Sequence, residues 1–237
     1  MNLKVGRVLL LALFTALFLS LPALAAVPCD GVTNLIYCQP WDQTGNAYSS
    51  QNDTGGGNGH FATVYDNFIL PVGNGQDWSL ESIHFVGEYF NPPNQGQITA
   101  FHVEVYGDNA GQPGNLIKAN VIQGNGGEMF LGNTAGFPTF EYWLTFDNID
   151  LKPNTPYWIA VYPDLGFPPQ WGWSSGTGGD GISYQDFFGV RSQLAADMAF
   201  ALDGTQGTNT GVPEPGTLVM LGTGVLGLAG TLRRKLF

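Results

Sequence analysis

Gly172-Trp173-Ser174-Ser175-Gly176 has the spacing of a hydrolase nucleophile elbow, where a strained strand-to-helix turn lifts a serine hydroxyl into the open. The surrounding chain supplies no such turn: Gly176-Thr177-Gly178-Gly179-Asp180-Gly181 follows, with no helical segment and no alternation of strands and helices. Ser174 is therefore expected at a strand end or loop. His60, His84 and His102 are the only histidines. His84 and His102 fall on successive predicted strands and can approach one another. No H-x-H or H-E-x-x-H spacing accompanies them, so ordinary surface side chains are expected and no metal site. Glu81, Glu88, Glu104 and Glu141 are acids of the type a glycosidase pairs, but that chemistry is decided by carboxylate separation, which spacing along the chain does not supply. No catalytic residue is assigned, and the expectation is a protein that is not an enzyme.

The aromatic residues are the more informative set. Trp143, Trp158, Trp171 and Trp173, with Tyr157 and Tyr162, cluster in the second half of the chain. Trp171 and Trp173 point to the same face of one strand. If buried they are core, the preferred reading, because such rings contribute large apolar area. If exposed they are flat surfaces for stacking on sugars, which makes Trp171 and Trp173 the candidate glycan-binding pair. Asp108, Asn109, Asp147, Asp150 and Asp180 are expected in loops. They leave structural calcium open without matching the D-x-[DN]-x-[DN]-G pattern, and no other cofactor is expected. Thr54-Gly55-Gly56-Gly57-Asn58-Gly59 lacks the following Lys and Ser or Thr of a phosphate-binding loop and reads as part of a polar loop from Asp42 to Gly59.

These residues must be positioned by strands. The chain contains 34 glycines and 15 prolines, which interrupt nearly every apolar run. Eight strands are predicted: Ala62 to Leu70, Ser79 to Phe90, Ile98 to Tyr106, Leu116 to Ile122, Tyr142 to Phe146, Pro156 to Tyr162, Trp171 to Ser174 and Met198 to Leu202. Several alternate plainly, with Ile83, Phe85, Gly87 and Tyr89 against His84, Val86, Glu88 and Phe90, and Phe101, Val103 and Val105 against Ala100, His102 and Glu104. With no amphipathic helix to cover them, apolar sheet faces must cover each other. The expectation is one all-β domain over residues 26–204, a single antiparallel β-sandwich, with at most one helical turn between Gln185 and Ala196.

Both ends of the chain concern delivery. Lys4 and Arg7, the apolar stretch from Val8 to Leu19 and Ala23-Leu24-Ala25 form a secretory signal peptide, residues 1–25, for signal peptidase to remove. Cys29 and Cys38 then lie just inside the mature protein in an oxidising compartment, and a disulfide is expected, worth roughly 2 to 3 kcal/mol in the chain-entropy account. Between the two ends only Lys118, Lys152 and Arg191 balance eighteen acids, a formal charge of −15. Nucleic acid is excluded as a partner, since a phosphate-binding surface needs clustered Lys and Arg.

Residues 205–212 read as a flexible linker. Beyond it stand Val212, Pro213, Glu214 and Pro215, an apolar run to Leu232, and the basic residues Arg233, Arg234 and Lys235. The apolar run from Thr217 to Leu232 would span about 24 Å as a helix, short of a roughly 30 Å hydrocarbon core. Residues 213–237 resemble the PEP-CTERM sorting signal. The resemblance implies recognition by exosortase at the inner membrane, a transient hold by a C-terminal membrane helix, the basic residues on the cytoplasmic side, and a final place at the cell surface or in the extracellular matrix. The ice-binding designation attached to such tails describes the tail alone, as no regular Thr-rich repeat is present. Between Tyr65 and Gly204 the chain also resembles a bacterial secreted β-sandwich module, through Tyr65-Asp66-Asn67-Phe68, Val103-Glu104-Val105-Tyr106-Gly107-Asp108-Asn109, Leu151-Lys152-Pro153-Asn154, Trp171-Gly172-Trp173 and Met198-Ala199-Phe200-Ala201-Leu202-Asp203-Gly204. That likeness implies a jelly-roll-like architecture. The functional expectation is an exported, exosortase-processed surface or matrix protein, with a carbohydrate-binding module acting on exopolysaccharide or surface glycans as the alternative.

Overall fold

The computed structural model describes residues 27–207. The expected signal peptide, most of the linker, the sorting residues Val212, Pro213, Glu214 and Pro215, the membrane helix and the basic cluster Arg233, Arg234 and Lys235 lie outside the described residues. Within them the chain forms β1 (Leu35–Gln39), β2 (Ala47–Ser49), β3 (Gln51–Asp53), β4 (Gly59–Ile69), β5 (Trp78–Phe90), β6 (Ala100–Asp108), β7 (Pro113–Gln123), β8 (Met129–Thr134), β9 (Phe137–Leu151), β10 (Pro156–Asp164), β11 (Gln170–Gly176), β12 (Ser183–Phe187), β13 (Val190–Leu194), β14 (Asp197–Met198) and β15 (Phe200–Gln206). There is no helix among the described residues.

The strands form two sheets. In the first, β9 runs along one edge of β5, pairing Trp78 with Leu151 through to Glu88 with Thr139. The other edge of β5 is shared: β15 pairs with its first part, from Trp78 to Phe85, and β11 with its last part, from Gly87 to Phe90. β1 lies outside β15, β8 outside β9, and β2 and β14 flank β11. The second sheet has the order β13-β12-β4-β10-β6-β7, with β3 inserted beside β4 and β10. Every pairing is antiparallel except the single one between Asp164 and Asn52.

Alternation along each strand sends one set of side chains between the sheets. Ile83, Phe85 and Tyr89 of β5, Tyr142 and Leu144 of β9 and Phe101, Val103 and Val105 of β6 are all buried in one cluster. Phe85 is at its centre. It stacks on Tyr142 with ring centroids 5.1 Å apart and meets Phe101, Trp171 and Trp173 edge-on at 5.3, 6.1 and 6.4 Å. The polar atoms of these rings are also used. Trp171 Nε1 donates to the Tyr142 hydroxyl at 3.1 Å, and the Tyr142 and Tyr89 hydroxyls both donate to Glu128 Oε1, at 2.8 and 2.5 Å. The outer face of the second sheet carries a smaller cluster of Tyr65, Trp158, Ala160 and Tyr184. Arg191 spans it, lying 5.0 Å over the Tyr65 ring, paired with Asp186 at 2.7 Å and donating to the Pro113 carbonyl at 3.2 Å.

Seven of the eight predicted strands correspond to β4, β5, β6, β7, β9, β10 and β11, the eighth, Met198 to Leu202, is broken at Ala199 between β14 and β15, and six more are present. The additional strands are short and, in β3, β12 and β13, largely polar, so they show little apolar alternation. The segment from Asp42 to Gly59 is not loop throughout, because β2 and β3 fill the sheets and bury Ser49, Gln51 and Asp53. Gln185 to Ala196 forms no helical turn. It lies in the β12–β13 hairpin, in which Asp186 faces Arg191 and the turn residues Phe188 and Gly189 both have positive φ, 48° and 79°. Hydrogen bonding of β12 to the open edge of β4 decides this in favour of extended chain. The sandwich also runs two residues further than expected, since Thr205 and Gln206 pair with Ser79 and Trp78 and so belong to β15, not to the linker.

Gly87 shows how closely the core is filled. A Cβ at this position would lie 2.2 Å from Cζ2 of Trp171. Gly87→Ala is expected to destabilise the fold by roughly 2–3 kcal/mol through overpacking, measured as a lower midpoint of chemical denaturation with unchanged slope.

Candidate functional site

Most of the residues singled out by chemistry stand apart, and only His84, Glu141 and Trp143 meet in one groove. Ser174 lies inside β11 as continuous strand, with a fully buried hydroxyl that has no hydrogen-bond partner, so an exposed nucleophile elbow is not formed there. Its neighbour Ser175 donates to Asp42 Oδ2 at 2.6 Å and acts in local packing. His84 and His102 are on different sheets, in β5 and β6, and do not approach each other as expected from neighbouring strands. Instead His102 and His60 both pack on Tyr162, with centroids 4.6 and 4.2 Å away, and His102 Nε2 lies 3.0 Å from Asp164 Oδ1. Among the described residues no group of three acidic, histidine or cysteine side chains is placed to hold a metal ion.

Of the four glutamates, Glu88 and Glu141 are diagonal neighbours on β5 and β9, while Glu81 and Glu104 stand elsewhere with partners of their own. Glu104 accepts from the hydroxyls of Tyr162, at 2.9 Å, and Tyr106 on the second sheet. Glu81 accepts from Thr205 Oγ1 at 2.6 Å, while Glu88 is buried beside Thr139 on the first sheet. Of the aspartates expected in loops, Asp147 and Asp150 lie within β9 and Asp108 ends β6, where it accepts from Trp158 Nε1 at 2.8 Å. Asn109 follows in the turn, its N–H bonded to the Gln112 carbonyl, and Asp180 accepts from Asn67 Nδ2 at 3.0 Å. The glycine-rich segment after Asp53 is organised by Asp53 itself. Burial alone would raise this carboxyl, but the N–H groups of Phe167, Asn58, Gly56 and Gly55 outweigh that and hold its pKa at about 2.

Trp171 and Trp173 are fully buried, both 0% exposed, which removes them as a sugar-stacking surface. Their indole nitrogens are spent inside the protein, on the Tyr142 hydroxyl and the Ala199 carbonyl. The exposed tryptophan is Trp143, with 60% of its surface open. The difference was present in the alternation. Tyr142, Leu144 and Phe146 occupy the apolar phase of β9, leaving Trp143 in the polar phase with Glu141 and Thr145.

Trp143 lies on the outer face of the first sheet and is held flat. One ring face stacks on His84 at 4.7 Å and 25°. Its Nε1 donates to Ser82 Oγ at 3.2 Å, and that hydroxyl in turn donates to Asp203. A groove of about 220 Å³ opens beside it, lined by Asp30, Gly31, His84, Gly127, Met129, Glu141, Tyr142 and Trp143. Three elements build it. β5 and β9 supply the floor, with His84 directly opposite Trp143, the turn leading into β8 supplies one wall, and the N-terminal turn supplies the other. That N-terminal wall is tied down by the Cys29–Cys38 disulfide, with Cα atoms 5.8 Å apart. Burial lowers the pKa of His84, against the opposing charge of Asp203; its Nε2 is buried without a hydrogen-bond partner, 3.8 Å from Asp203 Oδ2. Glu141 is shifted upward by desolvation. A second groove, about 410 Å³ between β7 and β9, has one carboxylate, Asp147, and no exposed aromatic ring.

The other functional determinant is the tail. Residues 211–235 match the PEP-CTERM protein-sorting motif. The chain carries an exosortase sorting signal. This PEP-CTERM signal directs export and membrane-associated processing and makes the chain an exosortase substrate. No curated protein and no solved structure matches the chain at a significant level. The motif covers Val212, Pro213, Glu214, Pro215 and the basic cluster Arg233, Arg234 and Lys235, so the best-defined functional residues of this chain are the ones outside the sandwich.

Glu88 provides a test of the electrostatics of the first sheet. Desolvation raises its pKa from 4.5 to about 7, partly offset by Thr139 and reinforced by Asp42. Below about pH 4.5 the carboxyl is protonated in both folded and unfolded chains. As pH rises to 7 the unfolded chain ionises first, so Glu88 progressively destabilises the fold. Glu88→Gln is expected to match wild type near pH 4 and to exceed it by about 2 kcal/mol at pH 8, allowing for partial screening, in denaturant titrations across that range.

Proposed function

We propose that this is an exported, non-catalytic protein of the cell surface or extracellular matrix. In this reading the signal peptide, residues 1–25, routes it through the secretory pathway to signal peptidase. The C-terminal helix holds it in the inner membrane, with Arg233, Arg234 and Lys235 on the cytoplasmic side, until exosortase cleaves near Pro213-Glu214-Pro215. What is released is a jelly-roll-like antiparallel sandwich.

The observation that carries this reading is the PEP-CTERM motif over residues 211–235, joined to an all-β body whose last strand ends at Gln206. Few residues separate the body from the cleavage region, so the folded part stands close to the membrane before release. Support also comes from the disulfide between Cys29 and Cys38, which suits an oxidising compartment. The acidic surface suits solubility outside the cell. Ser174 is enclosed, and Glu88 and Glu104 serve separate hydrogen bonds on different sheets.

Glu214→Ala or Pro215→Ala, expressed in the native host, is expected to leave full-length protein in the inner-membrane fraction with little release into the medium. Release at the wild-type level, followed by immunoblotting of both fractions, would count against exosortase processing.

A further inference from the structure

We propose that the groove at Trp143 binds a neutral pyranose unit of an extracellular polysaccharide. The inference rests on the delivery of this protein to the cell exterior, where such polymers are found, but its physical argument is local.

A sugar-binding surface needs a flat ring held still with one face open, because axial C–H groups of a pyranose pack against the electron-rich face of an aromatic ring. Trp143 meets this requirement. His84 occupies its inner face, the bond to Ser82 fixes its edge, and its outer face is exposed. Little side-chain freedom remains to be lost on binding, which lowers the cost of association.

The rest of the groove matches hydroxyl groups better than a protein side chain. Its volume, about 220 Å³, falls below the 300 to 1,000 Å³ typical of drug-sized ligands and suits a single small ring. Glu141 stands two residues from Trp143 on the same face, in a partly desolvated position where its carboxylate accepts hydrogen bonds strongly. His84, stacked behind Trp143 with its Nε2 buried 3.8 Å from Asp203 Oδ2, supports the ring from below. An apolar protein knob would bury the Glu141 carboxylate without supplying partners for it, at a cost in free energy.

Charge selects the class of polymer. Glu141 and Asp203 are both close to the ring, and the region between the two terminal signals carries a formal charge of −15. A uronic-acid or sulfated polymer is repelled from such a face, whereas a neutral one is not.

The test uses the full-length chain purified in detergent and a panel of neutral gluco-, manno-, galacto- and xylo-oligosaccharides, with polygalacturonate as the acidic comparison. Isothermal titration and tryptophan fluorescence are the readouts. Saturable binding to at least one neutral oligosaccharide is expected, weakened about tenfold or more by Trp143→Ala, partly restored in Trp143→Phe and reduced by Glu141→Gln. Trp143→Ala gives up the stack on His84 and the bond to Ser82, so it should lower the unfolding midpoint slightly while leaving the chain folded under assay conditions, and Phe188→Ser, which removes an exposed ring on the other sheet, should bind normally. Absence of binding across the neutral panel, binding confined to polygalacturonate, or equal affinity in Trp143→Ala would each overturn the proposal. The assay is independent of processing: a chain that binds neutral sugar yet is released regardless of Glu214 and Pro215 would retain this site while losing the exosortase reading.

Discussion

The indole of Trp171 lies across the backbone of Gly87, where even a methyl group would collide with it. This contact sets the distance between β5 and β11 side chains at the centre of the sandwich, and much of the remaining core is arranged around it. Phe85 and Phe101 meet Trp171 edge-on, and Tyr142 takes its N–H while stacking on Phe85. The quadrupoles of the rings favour such edge-to-face and offset contacts, so the aromatic residues specify a geometry as well as contributing area. A protein with no helix among its described residues depends on this. Its two sheets can bury their apolar faces only against each other.

Burial between the sheets leaves two outer faces, and they are managed differently. On the second sheet Arg191, Tyr65, Trp158 and Tyr184 close over the strands, and the bond from Arg191 to the Pro113 carbonyl brings the β12–β13 hairpin to the start of β7. On the first sheet the N-terminal segment, pinned by Cys29–Cys38, covers only part of the surface. The uncovered part contains Trp143, Glu141 and His84. The disulfide thus has a local role, since it holds one wall of the groove where the Trp143 ring and the Glu141 carboxylate meet.

Much of the fold was legible because period-two alternation is a direct physical signature of a strand with one buried face. The inward residues of β5 and β6 read correctly from their spacing. What could not be read were strands whose existence is owed to a neighbour. β3 is three residues, Gln51-Asn52-Asp53, and becomes a strand because β4 and β10 offer hydrogen bonds to it. β12 and β13 are polar and end a sheet edge in the same way. The candidate site was half legible. Trp171 and Trp173 stood out by their adjacency, yet alternation with Gly172 and Ser174 is equally compatible with an inner or an outer face. Trp143, less conspicuous, was the one whose phase on its strand was polar.

By itself the sequence determined that the protein is exported and processed at the membrane, and which residues of each long strand face the core. A sorting motif is read by other proteins as a linear string, and alternation is a property of consecutive residues, so neither needs a tertiary structure. Only the tertiary structure decided which tryptophan meets solvent, where each histidine and glutamate stands, and whether short polar segments pair. Those outcomes depend on residues distant in the chain: Gly87 making room for Trp171, Ser82 and His84 fixing Trp143, and Cys29 tying a turn beside them.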